Sequence, residues 1–190
     1  IKVAIIPEQT VGDELDFDWD EARIYFMLTD RFKDGDPSNN GANEYDRNHA
    51  EAYHGGDFQG IIDKLDYLDN LGINTIWITP IVDNIDFNKG LDFTTAEGLE
   101  AKQYGYHGYW AKDFTALDEH LGDIETFQEL IEKAHDRGMK IMLDVVVNHA
   151  GYGVNGEINE PWKVDAENLP TDEEISKFQG MFRTVDEDPT

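Results

Sequence analysis

The chain has 190 residues, 39% hydrophobic and 12% aromatic, which is enough for one ordinary domain with a real core. Its 41 acids against 15 Lys and Arg leave a formal charge of -26, which argues against nucleic acid as a partner and fits a secreted protein, a cation binder or a chain adapted to salt or high pH. The absence of Cys removes disulfides and thiolate metal sites, and no run approaches the ~18 apolar residues of a membrane-spanning helix.

The chain opens Ile1-Lys2-Val3, without Met or a signal-peptide pattern, and reads as processed or as part of something longer. Residues 1–21, acid-rich from Glu8 to Glu21, read as a lead-in or linker. Ile24-Tyr25-Phe26-Met27-Leu28-Thr29 predicts a short strand. Asp34 to Gly56 is polar and rich in Gly and Asn, a long loop, and such loops are usually functional. Ile61, Ile62, Leu65, Leu68 and Leu71 recur at helical spacing within Phe58 to Leu71, and Gly72 follows as a stop. Asn74 to Pro80 predicts a second buried strand, and Ile81 to Leu121 a second long loop carrying aromatics.

Ile124 to Arg137 is again amphipathic, through Phe127, Leu130, Ile131 and Ala134, and Gly138 closes it. Lys140 to Val147 predicts the third strand, apolar on both faces, as suits a buried parallel strand. It ends in Asn148 and His149, followed by Gly151 and Gly153. Alternating strands and helices mean parallel βαβ units, with the three strands side by side. Residues 150–190 are acidic, contain Pro161, Pro170 and Pro189, and hold no third helix of comparable quality.

Three constellations carry chemistry. Asp34-Gly35-Asp36-Pro37-Ser38-Asn39-Asn40-Gly41, with Gly55-Gly56-Asp57 later, offers the oxygen donors that calcium takes from flexible loops. The same residues also make ordinary surface turns, and the EF-hand pattern fails because Asn39 and Tyr45 stand where Gly and Glu belong. Tyr104-Gly105-Tyr106-His107-Gly108-Tyr109-Trp110 is either a flat platform for sugar rings or an aromatic tuck holding a loop down. Asp144-Val145-Val146-Val147-Asn148-His149 delivers an amide and an imidazole to a strand's C-terminal edge, where α/β active sites lie, or is a core strand with a polar tip. His49, His54, His120 and His135 read as loop or helix-surface residues without partners.

In this order and on these loops, the three constellations resemble the α-amylase family of glycoside hydrolases, close to its cyclodextrin-glucanotransferase and bacterial amylase branches. Ile24 to Phe32 resembles that family's first barrel strand, Gly72 to Pro80 its second, and Asp144 to His149 the signature ending its third. The resemblance implies an α/β fold: the first three βα units of a (β/α)8 barrel over residues 22–149, then the start of an inserted domain over 150–190. It implies a retaining hydrolase of starch and maltooligosaccharides, secreted, with calcium as cofactor. A cyclodextrin-forming transferase is the alternative, and a non-catalytic glycan-binding scaffold or a calcium-stabilised adhesion module are readings from other classes.

Residue by residue, the resemblance implies calcium ligands at Asp34, Asp36, Asn39, Asn40 and Asp57 and at the Gly55 carbonyl. Asn148 is similar to the amide ligand of a second, more widespread calcium. Tyr109 resembles the residue that stacks on the sugar before the scissile bond, with His107 and Trp110 shaping that subsite. His149 resembles the imidazole bonded to that sugar's primary hydroxyl, and Asp144 an internal support. The family's catalytic carboxylates have no counterpart among these residues and are expected beyond Thr190, in the remainder of the polypeptide. Asp30, Asp113 and Asp144 match non-catalytic positions.

Overall fold

Three short strands, each feeding a helix or a loop, assemble in parallel. The computed structural model describes residues 17–41, 44–86, 88 and 102–151. The expected start of the inserted domain, beyond 151, and most of the acidic lead-in lie outside the described residues. In chain order the elements are β1 (Ile24–Met27), α1 (Thr29–Phe32), α2 (Phe58–Ile62), α3 (Leu65–Asn70), β2 (Thr75–Ile78), β3 (Val82–Asn84), β4 (Ala111–Leu117), α4 (Ile124–His135) and β5 (Lys140–Leu143).

The sheet order is β1-β2-β5, and both pairings are parallel, with Tyr25 beside Ile76 and Ile76 beside Ile141. Alternation sends Met27, Ile76 and Ile78 toward the helices, where they are buried with Phe58, Ile61, Leu65, Leu68, Phe127, Leu130 and Ala134. The other face carries Phe26 edge-on to Trp77, their centroids 4.8 Å apart, and Ile24 and Phe26 stay exposed there. The described strands do not close a barrel. They put all three C-terminal ends on one edge, the edge that bears sites in this architecture.

Both helix stops behave as their glycines foretell. Gly72 and Gly138 have φ of +80° and +71°, and the next residues, Ile73 and Met139, reach back to the carbonyls of Leu68 and Ala134. The helix expected over Phe58–Leu71 is broken at Asp63–Lys64. There the backbone bonding tightens, with Lys64 donating to Ile61 only three residues back.

Two expectations change. The second loop contains an antiparallel hairpin, β3 with β4, whose alternation is hidden because an acid, Asp113, takes an inward position. Its carboxylate is satisfied locally by the Thr115 N–H at 2.8 Å and hydroxyl at 2.7 Å. The third strand ends at Leu143 rather than Val147, and Val145 and Val147 are exposed. β2 gives way at Thr79 and Pro80, so past the bond from Asp144 N–H to the Ile78 carbonyl there is no neighbour to continue the ladder.

Phe58 and Phe127 are fully buried with centroids 4.9 Å apart, and they join α2 to α4. Replacing Phe127 by Ala should cost about 3–5 kcal/mol. Urea denaturation of the full-length protein checks this, and a loss under about 1 kcal/mol would show that the two helices do not depend on this contact.

Candidate functional site

Two clusters occupy the strand C-terminal edge. The first is the loop between α1 and α2. Asp57 caps α2, and its buried carboxylate gathers four donors: Gly60 N–H at 2.6 Å and Gly35 N–H at 3.0 Å on Oδ1, Asp36 N–H at 2.8 Å and the Asn39 amide at 3.2 Å on Oδ2. Asp30, equally buried, accepts the N–H groups of His54 at 2.9 Å and Gly55 at 3.1 Å and pairs with Arg31. These two carboxylates fix both sides of the loop.

What the loop leaves unsatisfied are oxygens. Asp34 Oδ1, Asn39 Oδ1 and Asn40 Oδ1 are buried and have no hydrogen-bond partner. An orphaned buried acceptor costs about 1–3 kcal/mol, so three in one loop call for a shared ligand. The Gly55 backbone closes on them: its φ is +83°, and a Cβ there would lie 2.3 Å from Asn40 Oδ1. Asp36 is exposed and accepts from the Ser38 N–H and hydroxyl. Acids and imidazoles alone do not make a site, since no three of them cluster in ligand geometry among the described residues. The Asn amides supply what the acids lack, and an all-oxygen set of this kind fits a hard cation.

The second cluster joins the aromatic loop to the end of β5. The Tyr109 hydroxyl donates to Asp144 Oδ2 at 2.9 Å. His149 Nε2 lies 3.1 Å from the Tyr109 carbonyl, which can only accept, so that nitrogen carries the proton. Asn148 Nδ2, 3.3 Å from His149 Nδ1, is the matching donor to the other nitrogen. Both ring nitrogens of His149 are thus engaged. Asn148 uses the nitrogen end of its amide here, the end a metal does not take. His107 Nδ1 accepts the Tyr109 N–H at 3.0 Å, and its ring meets the Trp110 ring edge-on at 4.5 Å. Arg31 lies over the Tyr106 ring at 3.8 Å.

Charge states follow from these surroundings. Desolvation, and then the Asp144 carboxylate, push the Tyr109 phenol up to about 12, so it stays a donor. Burial, and then the Arg31 charge, pull the His107 imidazole down to about 4, so it stays a neutral acceptor. Asp30, Asp113 and Asp144 each accept from an internal donor.

The sequence missed three residues. His120, expected to be bland, is buried, stacks on Tyr53 at 4.1 Å and bonds Asp118 through Nδ1 at 3.0 Å. Burial would lower its pKa, but the Asp118 bond and charge outweigh it and raise the value. Asp118 also accepts the Asn84 N–H at 3.3 Å. Asn84 is buried and holds the Trp110 N–H at 2.8 Å. Asp83-Asn84 reads as turn chemistry, so nothing local marks Asn84 as a clamp.

Parallel βα units with an aromatic and imidazole cluster on the strand C-terminal edge are the arrangement of a barrel-type α/β domain. A family model for the alpha amylase catalytic domain matches residues 26–167. The beta/alpha-amylase of Paenibacillus polymyxa is 45% identical over 139 residues, 72% of this chain and 10% of that protein. The cyclomaltodextrin glucanotransferase of Klebsiella oxytoca is 44% identical over 153 residues, 78% of this chain and 21% of that protein. Among solved structures, an Anoxybacillus alpha-amylase superposes with a TM-score of 0.60 at 43% identity, covering 77% of this chain and 27% of that one. The chain belongs to the α-amylase family, and its described part is a fragment of that family's α/β barrel, with three parallel strands joined through helices. It spans only a tenth to about a fifth of the length of these two curated relatives.

An unfolded His takes up its proton near pH ~6.5, and folded His107 does so only near 4. Between those values the unfolded chain binds a proton that the folded chain refuses, so stability is lost as pH falls through that window. The drop in urea midpoint from about pH 7 to about pH 5 should be smaller in His107→Gln than in the wild type. Equal drops would show that the ring titrates freely.

Proposed function

We propose that this chain supplies the metal loop and part of the sugar subsite of a retaining glycoside hydrolase acting on starch and maltooligosaccharides. The single observation that carries the reading is the Tyr109 cluster: a ring fixed through its hydroxyl by Asp144 and through its backbone by His107 and His149. A fixed aromatic face presents a flat apolar surface to the C–H face of a sugar ring. His107 and Trp110 wall the same subsite. The Nε2 proton of His149, once turned from the Tyr109 carbonyl, can serve a sugar hydroxyl.

Retention requires one carboxylate to form a glycosyl-enzyme intermediate and one carboxylic acid to protonate the leaving oxygen. Neither role is assigned to a residue of this chain. This segment binds and orients. Calcium is the cofactor we assign, held by Asp34, Asn39 and Asn40 with the Gly55 carbonyl, Asp36 and Asp57. The three orphaned oxygens are its support. It would supply structural charge neutralisation in an acidic loop, with no part in bond breaking. Asn148 is proposed as a ligand of a second calcium through its amide oxygen. A secreted location is proposed, which the acidic balance fits as it fits cation binding; no described helix is long and apolar enough to cross a membrane. Near-equal identity to an amylase-named and a transferase-named relative keeps a cyclodextrin-forming transferase as the second reading.

Two measurements on the full-length protein test this. Chelation should lower Tm, because a ligand at ~100 times its Kd stabilises the folded state by about 2.7 kcal/mol. The same melting curve with and without chelator, with metal verified absent, would sink the calcium assignment. Tyr109→Ala should lower kcat/KM on maltooligosaccharides at least ~10-fold, about 1.4 kcal/mol, with little change in Tm. Wild-type turnover in that variant would leave Tyr109 a packing residue. The product, cyclic or linear, separates transferase from hydrolase.

A further inference from the structure

The Tyr109–Trp110 peptide unit is held at both ends. Its carbonyl, from Tyr109, accepts from His149 Nε2 at 3.1 Å, and its N–H, from Trp110, donates to Asn84 Oδ1 at 2.8 Å. One rigid peptide plane therefore connects a buried amide in the hairpin to the His149 imidazole beyond β5. The Trp110 carbonyl in turn accepts the Ile85 N–H at 3.0 Å, so Trp110 is pinned on both its backbone groups.

Asn84 is built for this place. The β3–β4 register slips on either side of Asp83, and Asn84 falls opposite Ala111, beside Trp110. The side chain is 1% exposed and its other end is engaged, with Nδ2 donating to the Val82 carbonyl at 2.7 Å. That bond fixes which end of the amide faces Trp110. Below it, the buried Asp118 carboxylate accepts the Asn84 N–H and both the N–H and Nδ1 of His120. Gly105, the second residue of the aromatic loop, lies against Asn84: a Cβ there would be 3.2 Å from the Asn84 Cβ.

We propose that Asn84 is a positioning residue of the sugar subsite: it orients the Tyr109–Trp110 peptide, and through it the Tyr109 ring. It touches no substrate. Its effect passes through Tyr109, and the Asp118 carboxylate holds it in register. The consequence for catalysis rests on the α-glucan reading above; the hold on the loop does not.

Asn84→Ala in the full-length protein tests both parts. Hydrogen exchange across residues 104–110 reads the hold directly and should rise at least about tenfold, since a lost buried bond lets the loop open more often, with no change in α4. A double-mutant cycle reads the function. Asn84→Ala should lower kcat/KM on maltooligosaccharides by about 30-fold alone, but under about threefold in the Tyr109→Ala background, as expected for residues acting through one another. If the alanine variant does not fold, Asn84→Ser, whose short hydroxyl does not reach the Trp110 N–H, is read the same way. Unchanged exchange in the loop, or losses that multiply independently with Tyr109→Ala, would overturn the proposal. A wild-type protein without turnover on any α-glucan, combined with raised exchange in the variant, would overturn the glucan reading and leave the positioning of the loop in place.

Discussion

Parallel pairing on both sides of β2 decides where everything else can go. Ile76 and Ile78 bury their side chains against the helices while the main chain bonds β1 and β5. Because the strands run the same way, every return passes through a helix and every polar strand end falls on one edge. The Asp34–Asp57 loop leaves that edge after β1, the aromatic loop after β2, and Asn148–His149 after β5. Residues some forty positions apart, such as Tyr109 and His149, meet for this reason alone.

That edge is held by buried polar groups, and in a low-dielectric interior each must find its partners. Asp57 gathers four donors, Asp30 takes two backbone N–H groups and Arg31, and Asp118 takes two N–H groups and an imidazole. Buried carboxylates satisfied in this way act as knots that tie loops to the sheet. The three orphaned oxygens of Asp34, Asn39 and Asn40 stand out against that completeness. They set this loop apart from the paired carboxylates beside it.

The core of the fold was legible in the sequence because it rests on periodicity. The α4 stripe of Phe127, Leu130 and Ala134, the glycine stops at Gly72 and Gly138, and the apolar runs of β1 and β2 all appear where the pattern places them. The β3–β4 hairpin was not legible, because Asp113 occupies an inward position and breaks the apolar alternation. Val145 and Val147 misled in the opposite direction: their branched side chains favour strand, but a strand needs a partner and β2 had already ended. The site was half legible. Tyr109, His107, Trp110, Asp144, Asn148 and His149 do converge, yet Asn84, Asp118 and His120 carry no local signal and matter only through what they touch.

The sequence by itself determined the order of strands and helices, their parallel sense, and the residue types offered at each strand end. It did so because burial periodicity and stop residues are local properties of a chain. Only the tertiary structure decided which nitrogen of His149 carries its proton, that one peptide links Asn84 to His149, and that three loop oxygens face inward without donors. Those outcomes depend on hydrogen bonds between residues far apart in the chain, and composition and spacing cannot encode the directions in which such groups finally point.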